Sequence, residues 1–148
     1  MGTTRDNLRT TNGLAHELRP VVMRLARRLR QMQDESLDLT PSQLSAMAVL
    51  LNSGDMLMGE LAAQEKVQPP SMTRIVNSLE VRGYVARRPD PRDHRQCLVA
   101  ITDSGREVLL ANRRRRDQWL AVQLAELDPA EREILRHAVR VLEKVNRA

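Results

Sequence analysis

The sequence predicts a mainly α-helical fold broken by one small β-hairpin: four helices, the hairpin, then two more helices. Three observations predict it. Apolar residues recur at three- and four-residue spacing through most of the chain, as amphipathic helices require. Capping residues followed by proline mark two helix starts, Thr40 before Pro41 and Asp128 before Pro129. One segment, residues 84–102, changes to a strand–turn–strand pattern with two prolines at its turn.

The first helix is read over residues 14–33 from Leu14, Leu18, Val21, Val22, Leu25, Leu29 and Met32. Pro20 lies inside it and predicts a kink or a restart. The second helix begins at Pro41 under the Thr40 cap, and Gly54 closes it. "MLMGELAAQEKV", residues 56–67, predicts a short third helix with Leu57, Leu61 and Ala62 inward. The fourth starts with Pro69 and Pro70 and ends near Gly83. "YVARRP" and "QCLVAIT" read as strands joined by "DPRDHR". Pro89 and Pro91 exclude regular pairing there, so the tip is a loop. "TDSG" caps a long helix from about Gly105 to Leu127, and Asp128 caps a last one running to Asn146. No repeat or low-complexity linker interrupts the chain, which reads as a single domain.

At 148 residues the chain has the usual size of one domain and can bury a core. A hydrophobic fraction of 41% excludes wholesale disorder. Tyr84 and Trp119 are the only aromatics, so the core is aliphatic. Binders that stack single-stranded bases on several rings are thereby disfavoured. A formal charge of +5 and a pI of about 10.5 suit a polyanionic partner. Lysine occurs only at Lys66 and Lys144; a GC-rich genome alone accounts for the preference for arginine, so position carries the functional reading. One cysteine, Cys97, excludes an intramolecular disulfide and a multi-cysteine zinc site. His16, His94 and His137 lack ligand spacing, so neither metal nor cofactor is expected. "MGTTRDNLRTTNG" has no apolar leader core, and no run approaches the roughly 20 residues of a membrane span. A soluble cytoplasmic protein is expected.

On a helical wheel, Met72, Ile75, Val76 and Leu79 form one apolar stripe of the fourth helix, facing the two helices before it. Ser71, Thr73, Arg74, Asn77 and Ser78 are left outward. Solvated faces usually alternate Glu and Lys. This one offers hydroxyls and a guanidinium in its N-terminal half, the part that a helix-turn-helix recognition helix puts into a major groove. First-turn amides are expected to be open to phosphates, and the prolines to approach the phosphate backbone closely. A plain solvated helix without acids is the alternative. The hairpin carries Arg87, Arg88, Arg92, His94 and Arg95, with Asp90 and Asp93 among them. An arginine at such a tip can enter a narrow minor groove. The aspartates are expected to pair with other arginines and shape the loop, leaving Arg92 free. A self-neutralising surface turn is the alternative.

The stretch from "MGELAAQEKVQPPSMTRIV" through "DPRDHR" to "VAITDSGREVL" resembles the winged helix-turn-helix domain of MarR-family transcriptional regulators. The flanking helices and "LTPSQLSAMAVL" fit that architecture, so the likeness covers nearly the whole chain. Its most specific part is the wing signature Asp-x-Arg-x-x-Arg at Asp90, Arg92 and Arg95. The resemblance implies dimerisation helices at about 1–36 and 105–148 around a DNA-binding lobe at about 37–104. It implies a recognition helix at about 69–82 and a wing at about 84–100. A homodimer on a pseudo-palindromic double-stranded operator follows, acting as a repressor and released by a small-molecule effector or an oxidant. Arg92 resembles the wing-tip arginine of the family and Asp90 the residue that orients it. Ser71, Thr73 and Arg74 sit where the family contacts grooves and phosphates. The candidate DNA-binding residues are Gln68, Pro69, Pro70, Ser71, Thr73, Arg74, Asn77, Arg88, Arg92 and Arg95, with Asp90 and Asp93 orienting the wing. Apart from the resemblance, the terminal helices at 14–33 and 129–146 are apolar enough to need a partner surface. A dimer would set two recognition helices about 10 bp apart.

Two other readings stay open: a winged-helix module whose basic wing meets an acidic protein, and a redox sensor or enzyme working through Cys97. Cys97 lies in a predicted strand and is read as a structural thiol. His94 nearby has no third orienting residue or oxyanion site, so no catalytic residue is named and no enzyme is expected. "RRRR", residues 113–116, spreads around its helix and reads as solvated, with Arg113 and Arg116 as further phosphate candidates. Met23, Met47, Met56 and Met58 read as core fillers, although they suit an apolar ligand pocket. Trp119 is read as packing in the core or a dimer interface.

Overall fold

A computed structural model of the chain describes residues 7–147. Residues 1–6, which carry part of the expected leader-free start and of the segment expected at 1–36, lie outside the described residues. The order is α1 (Thr11–Gln31), a 3-10 turn (Glu35–Leu37), α2 (Pro41–Ser53), β1 (Met56–Leu57), α3 (Met58–Gln64), α4 (Pro69–Val81), β2 (Val85–Pro89), β3 (Cys97–Ile101), α5 (Asp103–Ala125) and α6 (Pro129–Asn146). The chain divides into two compact units, one spanning Asp34–Arg114 and the other the segments on either side of it.

In the Asp34–Arg114 unit, α2 starts on a complete capping box. Thr40 Oγ1 accepts from Gln43 N–H at 3.2 Å, and Gln43 Oε1 accepts from Thr40 N–H at 2.8 Å. Gly54, at φ 82°, ends that helix in a backbone region that side chains with a Cβ avoid. Between α3 and α4 the chain turns through Lys66 at φ 54°, and Val67 N–H returns to the Ala62 carbonyl at 3.0 Å. The core is aliphatic, as the composition requires: Met47, Leu50 and Leu61 meet Met72, Val76, Leu79, Val85, Val99 and Leu109. The predicted stripe of α4 is therefore the buried one, with Ile75 at its margin.

The hairpin forms with Val85 opposite Ile101, Arg87 opposite Val99 and Pro89 opposite Cys97. Pro89 thus ends a paired strand, and the loop begins only at Asp90. The third helix starts at Met58 rather than at residue 56. Met56 and Leu57 instead form β1, antiparallel to β3, giving the sheet order β1-β3-β2. Two residues are too few to show a period of their own, and their partner strand lies far along the chain. Thr102 joins the sheet to α5: its Oγ1 accepts from Gly105 N–H at 3.1 Å and donates to the Gly83 carbonyl at 2.6 Å. A Cβ on Gly105 would stand 2.1 Å from the Tyr84 carbonyl oxygen, so only glycine lets that first turn close on the strand. The helix begins at Asp103, two residues before the expected Gly105.

In the other unit, α1 runs unbroken through Pro20, so the expected restart does not occur. Thr10 caps it, accepting from Gly13 N–H at 3.0 Å. Asp128 and Glu131 form a second reciprocal box at the start of α6. Arg132 reaches back to cap α5, its Nη1 donating to the Leu124 and Ala125 carbonyls at the helix end and to the Leu127 carbonyl just beyond it. Arg28 lies over the half-buried Trp119 ring, 5.2 Å from its centroid. Along α6 no residue is buried, although Ile134, Leu135, Val139 and Leu142 follow one another at helical spacing. Leu14, Leu18, Val21 and Leu25 of α1 are exposed in the same way.

Candidate nucleic-acid interface

The outward side of α4 begins with a turn that has spent its amides. Pro69 and Pro70 have no N–H, while Ser71 and Met72 donate theirs to the Gln68 carbonyl at 2.9 and 3.1 Å. The expectation that this helix end offers free amides to phosphate is thus corrected. Recognition here falls to side chains. Gln68, Pro69, Pro70, Arg74 and Asn77 are exposed, with Ser71 and Thr73 half-buried beside them. Thr73 Oγ1 donates to the Pro69 carbonyl at 3.0 Å, which turns its lone pairs outward as acceptors. Ser78 is not free as the wheel suggested: its Oγ accepts from Gln43 Nε2 at 2.8 Å, tying α4 to α2.

The wing tip is organised by its two aspartates. Asp90 is buried, and its Oδ1 accepts from Arg92 N–H at 3.1 Å while its own N–H donates to the Gln96 carbonyl at 3.0 Å. Asp93 Oδ1 accepts from both Arg95 N–H at 3.1 Å and Arg95 Nε at 3.0 Å. Hydrogen bonds from the Arg95 side chain, then from its backbone, hold the Asp93 carboxyl below its ordinary value. Arg88, expected at the interface, is engaged elsewhere: its Nη2 meets Asp55 Oδ2 at 2.6 Å. Arg87 lies against Glu80 of α4, Nη2 to Oε1 at 3.0 Å and Nε to Oε2 at 3.2 Å. That bond lowers the Glu80 pKa and raises that of Arg87.

The result is a sorting of charges. Arg87, Arg88 and Arg95 are each matched by a carboxylate, whereas the guanidinium groups of Arg74 and Arg92 meet none among the described residues. One unmatched cation therefore sits on the exposed side of α4, the other at the wing tip. Two further contacts escaped the sequence: Arg82 Nη1 donates to the Asp38 carbonyl at 2.9 Å, and Asp34 N–H donates to the buried Asn112 Oδ1 at 3.3 Å. Both link segments distant in sequence, which no local pattern announces.

Cys97 is a half-buried free thiol at the start of β3. It borders a shallow open cavity of about 240 Å³ with Arg87, Arg88, His94 and Arg95. Met47 is fully buried and Met56 and Met58 pack at the core margin, whereas Met23 is exposed. Among the described residues, no three His, Cys, Asp or Glu side chains gather as metal ligands, and no helix is long and apolar enough to cross a membrane.

Comparison with known proteins meets this geometry from another side. A model of the MarR family matches residues 37–96. The chain is 50% identical to an uncharacterized HTH-type transcriptional regulator of Mycobacterium bovis, over 84% of its own length and 87% of the relative's. A solved MarR-family protein from Bacillus stearothermophilus shares 25% identity at a TM-score of 0.78, covering 95% of this chain and 97% of that one. A transcriptional regulator of Thermotoga maritima is 25% identical with a TM-score of 0.76, over 89% and 92% of the two chains.

Proposed function

Because the chain belongs to the MarR family of helix-turn-helix transcriptional regulators, which are not enzymes, we propose that it is a homodimeric repressor gripping a pseudo-palindromic operator. Each protomer lays α4 in a major groove and turns its wing tip into the neighbouring minor groove. The observation that carries this reading is the sorting of charges, which leaves Arg74 and Arg92 as unmatched cations where a duplex would lie. Thr73 presents acceptors to base amino groups, Ser71 and Asn77 supply further polar contacts, and Gln68, Pro69 and Pro70 border the phosphate chain. Asp90 and Asp93 hold the tip so that Arg92 leads and Arg95 stays close behind. Arg88 contributes through its Asp55 contact, by steadying the strand.

The homodimer is supported by α1 and α6, where Leu14, Leu18, Val21, Leu25, Ile134, Leu135, Val139 and Leu142 stay exposed among the described residues. Covering each large side chain contributes on the order of 1 kcal/mol. A small-molecule effector that releases the operator completes the reading, and such a regulator works in the bacterial cytoplasm.

The test is a gel shift against the DNA upstream of the protein's own gene, repeated over a salt series. A specific shift is expected, with log affinity falling by about 0.9 per neutralised phosphate for each log unit of salt. A wing that instead meets an acidic protein gives no shift that prefers this DNA over an unrelated duplex.

A further inference from the structure

We propose that Glu80 and Arg87 are a positioning pair that sets the wing against the recognition helix, an inference that rests on the operator reading above. Glu80 lies in the last turn of α4 and Arg87 in the middle of β2. Two nearly parallel hydrogen bonds, at 3.0 and 3.2 Å, join fork to fork. Such a pair fixes an angle as well as a distance. The next residue, Arg88, projects from the opposite side of the strand and is held by Asp55 at 2.6 Å. β2 is therefore braced on both sides, to the helix that faces the major groove and to the loop preceding β1. The tip carrying Arg92 extends beyond these braces, so a small rotation at Arg87 becomes a larger displacement at Arg92.

Glu80 also needs an explanation on charge grounds. A carboxylate on a helix that faces phosphates opposes binding, and glutamine would fill the same space without the charge. By charge alone, Glu80→Gln tightens DNA binding. By positioning, it loosens it, because the brace is lost.

The experiment measures operator affinity over a salt series for wild type, Glu80→Gln, Arg87→Gln and the exchange of Glu80→Arg with Arg87→Glu. Circular dichroism checks each fold, and amide hydrogen exchange follows residues 85–101 without DNA. Each single variant is expected to bind about two- to fivefold more weakly, the scale of one exposed ion pair, with the salt slope unchanged. Hairpin exchange quickens in both, and the exchanged pair recovers most of the affinity and the protection. Binding by Glu80→Gln as tight as wild type, or tighter, overturns the inference. So does a salt slope shallower by about 0.9 in Arg87→Gln, which makes Arg87 a phosphate ligand in its own right. A wild-type protein that binds no duplex overturns the operator reading, and this inference with it.

Discussion

Arg92 has its backbone N–H fixed by Asp90 and its guanidinium unengaged, while Arg95, three residues on, is tied to Asp93. The backbone under Arg92 is already ordered, so on binding only its side chain loses conformational freedom. Arg74→Ala is expected to cost about 1–3 kcal/mol of operator affinity and to relax the choice of base beneath it. Arg92→Ala should weaken binding and remove protection from the flanking minor groove, as read by hydroxyl-radical footprinting. Unchanged affinity in both would defeat the interface. Position 72 makes the opposite demand. Met72 is fully buried, so Met72→Asp places an unpaired carboxylate in the core and is expected to unfold this unit. Thr73→Ala, one residue on, should keep its melting temperature close to that of wild type. A folded Met72→Asp protein by circular dichroism would mean that the two sides of α4 are assigned the wrong way round.

At the scale of elements, legibility followed distance along the chain. Thr40 with Gln43, and Asp128 with Glu131, encode their caps within a few residues, and both helix starts could be read directly. The apolar stripe of α4 was equally local. β1 was not, because Met56 and Leu57 become a strand only when β3 arrives. The Arg88–Asp55 and Arg87–Glu80 pairs are set by the bend of the hairpin, so the sequence displayed the charges without their partners. The wing tip is the intermediate case: Asp93 pairs with Arg95 as expected, whereas Asp90, expected to pair with another arginine, holds the backbone N–H of Arg92 instead. Its pH response follows from Asp93. Because the folded carboxyl titrates below its ordinary 3.8, its contribution is complete above the unfolded pKa and fades only as pH falls through the lower folded value. Amide exchange at residues 92–96 should therefore show the tip holding its order from neutral pH to about pH 4 and loosening below. An Asp93 midpoint at or above the usual value, measured by NMR, contradicts this.

For the molecule as a whole, the exposed apolar residues of α6 make a prediction that separates a monomer from a dimer. In a solitary chain, Ile134→Glu with Val139→Glu would exchange exposed side chains for soluble ones and change little. In a homodimer the same pair of substitutions buries carboxylates in the interface. Sedimentation should then show half the wild-type mass, and operator affinity should fall by about a hundredfold or more as two half-sites are gripped separately. Wild-type mass and affinity in the double variant would remove the dimer.

The order β1-β3-β2 leaves the outer rim of β2 without a neighbouring strand in the sheet. Open rims recruit foreign strands and seed insoluble aggregates, and charged residues and proline are the usual protection. β2 reads Val-Ala-Arg-Arg-Pro, with its two arginines and its proline all exposed. The hairpin thus carries its own guard against sticking to other copies, which matters most when the regulator is abundant and off its DNA.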